Sequence, residues 1–225
     1  STKLMNQLEP QQSFAGIAGP LGRPSVIERY DNDRRVVFIA GGVGLPPVLP
    51  IRKEHLELGN QTVLISGFRN LNQAFWHEPG QRLDRLQSDF PNLEVIYTSD
   101  DGSFGLHGLV TQPLEKMLKQ TNTIGPGIGE VIAIGPPLMM RAVSELTRPY
   151  GVKTIDSLNS VMIDATGMCG ACMVPIHKED QLLRKHACVD GPEFDAHSID
   201  WEKLLPRFKQ FNLQELRSQE LKGLS

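Results

Sequence analysis

Three cysteines lie in the last third of the chain, two of them as Cys169-Gly170-Ala171-Cys172 and the third at Cys188. Asp164 stands before Cys169 with four residues between them, and fifteen residues separate Cys172 from Cys188. Sites of the C-x4-C-x2-C…C type hold a 2Fe–2S cluster, and this segment fits that spacing with a carboxylate in the first position. A carboxylate ligates iron as a harder donor than a thiolate, and is expected to shift the potential of the cluster. Gly167 and Gly170 free the backbone to wrap the group and to aim amides at its sulfurs. The candidate metal ligands are therefore Asp164, Cys169, Cys172 and Cys188.

Other chemistries fit the same residues. Three buried thiols with no metal are one. A structural zinc with His186 or His177 as fourth ligand is another. A Cys-x-x-Cys redox pair fits less well, because such a pair normally sits at a helix N-terminus. An odd count of three does not suit a disulfide framework, and points to a reducing, cytoplasmic setting.

A second set of residues lies at the ends of apolar runs. Residues 36–40 (Val-Val-Phe-Ile-Ala) are a strand pattern buried on both faces, and Gly41-Gly42-Val43-Gly44 follow. Glycines there let backbone amides approach a pyrophosphate, although Pro46-Pro47 and the absence of Gly-x-Gly-x-x-Gly depart from the usual dinucleotide fingerprint. Gly67-Phe68-Arg69 ends a second such run, with the guanidinium placed for phosphate or ribose. Asp100 lies in the turn after a third, and Gly135-Pro136 follow a fourth. Four consecutive strand ends with small or polar residues describe one ligand crevice, for which Gly42, Val43, Gly44, Gly67, Arg69, Asp100, Gly135 and Pro136 are the candidates.

The elements that must position these residues follow from periodicity. Between residues 35 and 150, strands at 36–40, 62–66, 93–97 and 130–134 alternate with helices at about 46–58, 79–90 and 109–119. In a further helix, Leu138, Met139, Ala142, Val143 and Leu146 share one face. That alternation predicts an α/β fold with a parallel sheet and helices on both sides. Residues 14–18 suggest a strand before the glycine-rich turn at 19–22. Short strands are expected at 152–155, 161–164 and 173–176, and a helix over 200–218 packs Leu204, Leu205, Phe208 and Phe211 on the core.

The chain has 225 residues, 40% of them hydrophobic and 22% charged, with a net charge of −3 and a pI of about 6.1. This is enough apolar material for a core. The charge argues against nucleic acid as a partner, and no run approaches the roughly 20 apolar residues of a membrane span.

Taken together, these motifs resemble the ferredoxin–NADP reductase superfamily. More narrowly, they are similar to the small flavoprotein subunits of the NADH-dependent reduced ferredoxin:NADP oxidoreductase (Nfn) type, also described as sulfide dehydrogenase subunits. The iron–sulfur subunit of dihydroorotate dehydrogenase is a more distant likeness. The matching pieces are residues 19–22, 40–47, 98–103 and 135–140, and above all 157–172 with 187–195. Asp164 in the first ligand position favours the Nfn type. The resemblance implies three parts: residues 1–32 as the C-terminal remnant of an FAD-binding β-barrel, 33–155 as an NAD(P)-binding α/β domain, and 156–225 as a 2Fe–2S domain with a C-terminal helix. Thr2 would match the family's flavin pyrophosphate-binding threonine. Relatives often place a Cys before the Gly-Pro at the fourth strand end, where this chain has Ile134. The implied function is electron transfer between NAD (or NADP), FAD and a 2Fe–2S cluster, and onward to a larger oxidoreductase subunit, glutamate-synthase-like or other. Hydride passes from nicotinamide to flavin, and no side chain is required as general acid or base. A non-catalytic cluster-carrying subunit and a zinc-stabilised nucleotide-binding regulatory domain are the alternatives.

Overall fold

The computed structural model describes residues 5, 7–14, 16–31, 33–121, 126–209 and 217. Thr2 and Phe211 lie outside that set. A seven-stranded sheet organises the molecule: β1 (Arg34–Gly41), β2 (Gln61–Phe68), β3 (Leu93–Ser99), β4 (Leu106–His107), β5 (Gly127–Ile134), β6 (Lys153–Ser157) and β9 (Glu193–Asp195). The spatial order is β4-β3-β2-β1-β5-β6-β9, parallel except for β9, which pairs antiparallel with β6. The order runs outward on both sides of β1, so the winding of the sheet reverses between β1 and β5 while the strands stay parallel. Ligand crevices in such sheets open beyond the carboxyl ends of the strands, at the point where the order reverses.

Strand β1 shows why the sheet forms. Val36, Val37, Phe38, Ile39 and Ala40 are all fully buried. Successive residues serve opposite faces. Val37 and Ile39 join a core with Val131, Ala133, Leu114 and Val143. Val36, Phe38 and Ala40 join the other core with Leu45, Val48, Leu64 and Ile132. Each of the larger side chains, valine, phenylalanine or isoleucine, contributes about 1.5–3 kcal/mol when removed from water. On the second face lie α1 (Leu45–Glu57) and α2 (Arg82–Asp89). On the first lie α3 (Thr111–Thr121), α4 (Pro137–Thr147) and α6 (Trp201–Phe208).

Beyond the sheet, β7 (Met173–Lys178) and β8 (Gln181–His186) form a hairpin, followed by the one-turn helix α5 (Ala187–Asp190). Val174, Ile176, Cys172 and Cys188 pack into the same core as α4 and α6. The expected boundary at 155/156 falls inside β6, and β9, from the far side of that boundary, completes the sheet.

Three local expectations differ from the structure. The described residues of 14–18 form no strand; they are exposed and find no partner for a ladder. The strand expected at 161–164 is a loop. There the Asp164 carboxylate accepts from the Thr166 amide, 2.8 Å away, which turns the backbone out of an extended ladder. The stripe on α4 is divided. Met140, Val143, Ser144 and Thr147 face the core, whereas Leu138 stays 68% exposed at the crevice. At the C-terminus, α6 is described to Phe208; Leu204 is buried, with Leu205 and Phe208 packed against the same core.

Residues 23–31 are tied beneath the sheet by polar contacts. The Asn60 side chain accepts from the Tyr30 amide and donates to the Glu28 carbonyl. Lys153 pairs with both Glu28 and Glu130. No helix among the described residues is long and apolar enough to cross a membrane.

Candidate functional site

At the carboxyl edge of the sheet lies a cavity of about 630 Å³, a size suited to an organic cofactor or substrate. Gly42, Val43, Gly67, Arg69, Asp100 and Pro136 all line it. Gly44 and Gly135 do not. Their role is packing: a Cβ on Gly44 would collide with the Ile134 carbonyl, and one on Gly135 would meet the Met139 side chain at 2.8 Å. The loop after β1 therefore closes directly onto the end of β5, and this contact sets the crevice floor. Thr98, fully buried at the end of β3, joins the lining. The backbone of the third strand end is locked, since the Asp100 amide donates to the Phe68 carbonyl and Ser99 holds Phe104 through both its hydroxyl and that residue's amide. Asp101 caps the turn by accepting from the Ser103 hydroxyl and amide, which holds its carboxyl below the usual range.

The sequence reading missed much of the apolar wall. Phe68, Phe75, Leu109, Val110, Leu138 and Met139 also line the cavity. Phe75 meets Phe68 edge to face at 5.5 Å. An aromatic pair, Phe75-Trp76, in an otherwise polar loop was the available signal for that wall.

The second site is the loop of residues 158–172 with the turn at Cys188. Its four candidate donors fall into two pairs. In one, the exposed Asp164 carboxyl is held below its ordinary range, first by the Thr166 amide, then by the side chain and backbone of Cys169. In the other, the Cys172 and Cys188 sulfurs lie 3.2 Å apart, both buried. Burial, then the neighbouring Cys172 thiol, pushes the Cys188 thiol up. The Ala171 amide donates to the Cys169 sulfur at 3.5 Å. A left-handed Gly170 (φ +66°) makes that approach possible, a conformation that disfavours any side chain.

Among the described residues, no three His, Cys, Asp or Glu side chains converge on a single point where one metal ion could sit. His177 is occupied elsewhere, 3.1 Å from Asp200 at the base of α6. Three thiols and a carboxylate, with an amide aimed at one of the sulfurs, are donors of the kind an iron–sulfur group takes.

Several buried polar groups carried no signal in the sequence. His55 and Arg52 on α1 are fully buried, as is Asp156 on β6. Burial, reinforced by the charge of Lys153, pulls His55 down to about 4. Burial alone lowers Arg52 to about 10. Burial, with the charge of Asp195 nearby, holds the Asp156 carboxyl well above the usual carboxylate range.

Comparison with known proteins gives these sites a context. Residues 38–145 match the model of the oxidoreductase NAD-binding domain. Residues 159–200 match that of the iron–sulfur cluster binding domain of dihydroorotate dehydrogenase B. The chain is 36% identical, over 91% of its length and 65% of the relative's, to a homologue of the dihydroorotate dehydrogenase B (NAD(+)) electron transfer subunit from Thermotoga maritima. It is 26% identical, over 93% of its length and 72% of the relative's, to the probable subunit of that name from Methanocaldococcus jannaschii. Among solved structures it is similar to a chain of the NADH-dependent reduced ferredoxin–NADP oxidoreductase, from a study of flavin-based electron bifurcation. That likeness has 34% identity and a TM-score of 0.77, over 98% of this chain and 72% of the other. The chain thus spans about two thirds of the length of the curated relatives it matches. With its NAD-binding oxidoreductase domain followed by an iron–sulfur cluster binding domain, the chain belongs to the oxidoreductase family of the dihydroorotate dehydrogenase B electron-transfer subunits.

Proposed function

We propose that the chain is the nicotinamide-binding, cluster-carrying electron-transfer subunit of a larger oxidoreductase, and that it works with FAD, NAD and a 2Fe–2S cluster. The observation that carries this reading is the pair of buried sulfurs, Cys172 and Cys188, 3.2 Å apart in a segment that matches an iron–sulfur cluster binding domain and also carries Asp164 and Cys169. A bound cluster supplies one-electron chemistry, and the flavin couples it to two-electron hydride transfer from nicotinamide.

The residues of this chain bind and orient. Gly42 and Val43 present loop backbone at the end of β1, and Gly67, where a Cβ would collide with the Val110 side chain, lets that side chain close on the end of β2. Arg69 brings a guanidinium to the rim for a phosphate, and Asp100 brings a carboxylate for a ribose hydroxyl. Val43 and Leu138, 81% and 68% exposed, form an apolar mouth that would shed water as the nicotinamide ring docks. Residues 1–32, including Thr2, would belong to the flavin-binding side. The relatives' description as electron-transfer subunits supports a larger partner that receives the electrons.

The test is anaerobic titration of the flavin- and cluster-loaded protein, in its full-length form, with NADH and separately with NADPH. The reading expects stepwise bleaching of flavin and cluster absorbance, with NADH the tighter ligand. A protein that holds both groups yet shows no bleaching with either nucleotide contradicts it.

A further inference from the structure

The guanidinium of Arg207, on the last turn of α6, reaches the Cys-x-x-Cys turn and donates to two of its carbonyls, Gly170 at 3.1 Å and Ala171 at 3.3 Å. The Gly170 carbonyl belongs to the same peptide unit as the Ala171 amide, and that amide donates to the Cys169 sulfur. In a trans peptide the C=O and N–H point in opposite directions. One planar unit therefore links the Arg207 charge on one side to a ligand sulfur on the other. A cation on the carbonyl polarises the amide and strengthens the bond it donates.

The surroundings favour a strong effect. Among the described residues, no carboxylate pairs with Arg207. A cavity of about 10 Å³ beside it is lined by Val161, Ala171, Met173, Leu204 and Phe208, with the Ser160 hydroxyl as the other polar group. Apolar walls screen a charge less than water does. The anchor is also firm, because Leu204 is buried in the main core and α6 is capped by the Asp200 side chain on the Lys203 amide.

We propose that Arg207 is a positioning residue for the cluster: it fixes the Gly170–Ala171 peptide so that its N–H is aimed at the Cys169 sulfur, and it thereby raises the reduction potential of the group held there. Reduction adds negative charge to the cluster, so both a nearby cation and a stronger N–H donor favour the reduced form. The inference rests on the cluster assignment made above.

The experiment uses the cluster-loaded, full-length protein and its Arg207→Gln and Arg207→Lys variants. Iron and acid-labile sulfide per chain are measured first, then the midpoint potential by dye-mediated titration. Gln keeps polar donors without the charge. Its reduced-to-oxidised ratio at fixed potential is expected to fall about tenfold, which is about 59 mV for a one-electron couple. Lys keeps the charge without the fork, and a smaller fall in the same direction is expected. If iron and sulfide match the parent while the potential of Arg207→Gln is unchanged, the proposal is overturned. Where Arg207→Gln fails to retain the cluster, Arg207→Lys decides, and an unchanged potential there overturns the proposal equally. Absence of iron and sulfide from the parent itself would instead strike at the cluster assignment.

Discussion

At the residue scale the account rests on a few side chains whose chemistry is specific. Cys172 and Cys188 are buried thiols 3.2 Å apart, and on the proposed ligand set removal of either would leave an iron short of a ligand. Cys188→Ala is expected to lower iron retention at least about tenfold, read as iron per chain after desalting. Asp164 is the unusual member. Asp164→Cys replaces a hard oxygen with a softer thiolate, so the cluster is expected to persist with a displaced potential and an altered visible spectrum. Retention of the parent spectrum by that variant would remove Asp164 from the ligand set. In the crevice, Arg69 supplies a guanidinium at the rim. Arg69→Ala is expected to weaken NADPH binding about tenfold or more, the worth of a charge-assisted hydrogen bond, and NADH binding less. Equilibrium titration with each nucleotide decides this.

At the scale of elements, what the sequence disclosed and what it concealed divide on a physical line. The continuous apolar run 36–40 and the alternation of strands with helices were legible, because burial on both faces of a parallel sheet leaves a strong one-dimensional signal. Strand β9 was not legible. Its three residues, Glu193–Asp195, carry no periodicity, and they are extended only because β6 offers a free edge. The hairpin partner β8, Gln181–His186, has no buried residue and is mostly polar, so it lacked the pattern as well. The iron–sulfur segment around Cys169 could be read directly, since a cluster binding domain is marked by the spacing of its cysteines in the chain. The walls of the crevice could not, because Phe75, Val110 and Leu138 meet only after the sheet forms. Gly44, expected to bring loop backbone to a ligand, also makes the contact between the β1 loop and β5, which the sequence did not disclose. Gly44→Ala is accordingly expected to cost roughly 1–3 kcal/mol in denaturant unfolding, from overpacking against the Ile134 carbonyl.

At the scale of the whole molecule, the parts share one core and one sheet. The segment carrying the cysteines packs Cys172, Val174 and Ile176 against the same cluster as Val37 and Val131, and its β9 extends the main sheet. Unfolding of the two regions is therefore expected to be cooperative. Acid should weaken the whole fold through His55. Its folded-state value of about 4 lies below the ordinary 6.5, so the native state favours the neutral ring. The unfolded chain takes up the proton first as pH falls below 6.5, and stability is lost progressively from there towards pH 4. The full effect is about 3 kcal/mol. The stability advantage of the parent over His55→Gln is thus expected to shrink by about that amount between pH 7 and pH 4, whereas a constant difference would show that His55 does not carry the acid sensitivity. The central claim, that Asp164, Cys169, Cys172 and Cys188 hold a pair of irons, is tested most directly by metal and sulfide analysis with electron paramagnetic resonance after dithionite reduction. The account predicts about two irons and two acid-labile sulfides per chain and a paramagnetic reduced state. A colourless protein with zinc at that loop, no labile sulfide and no resonance would contradict it.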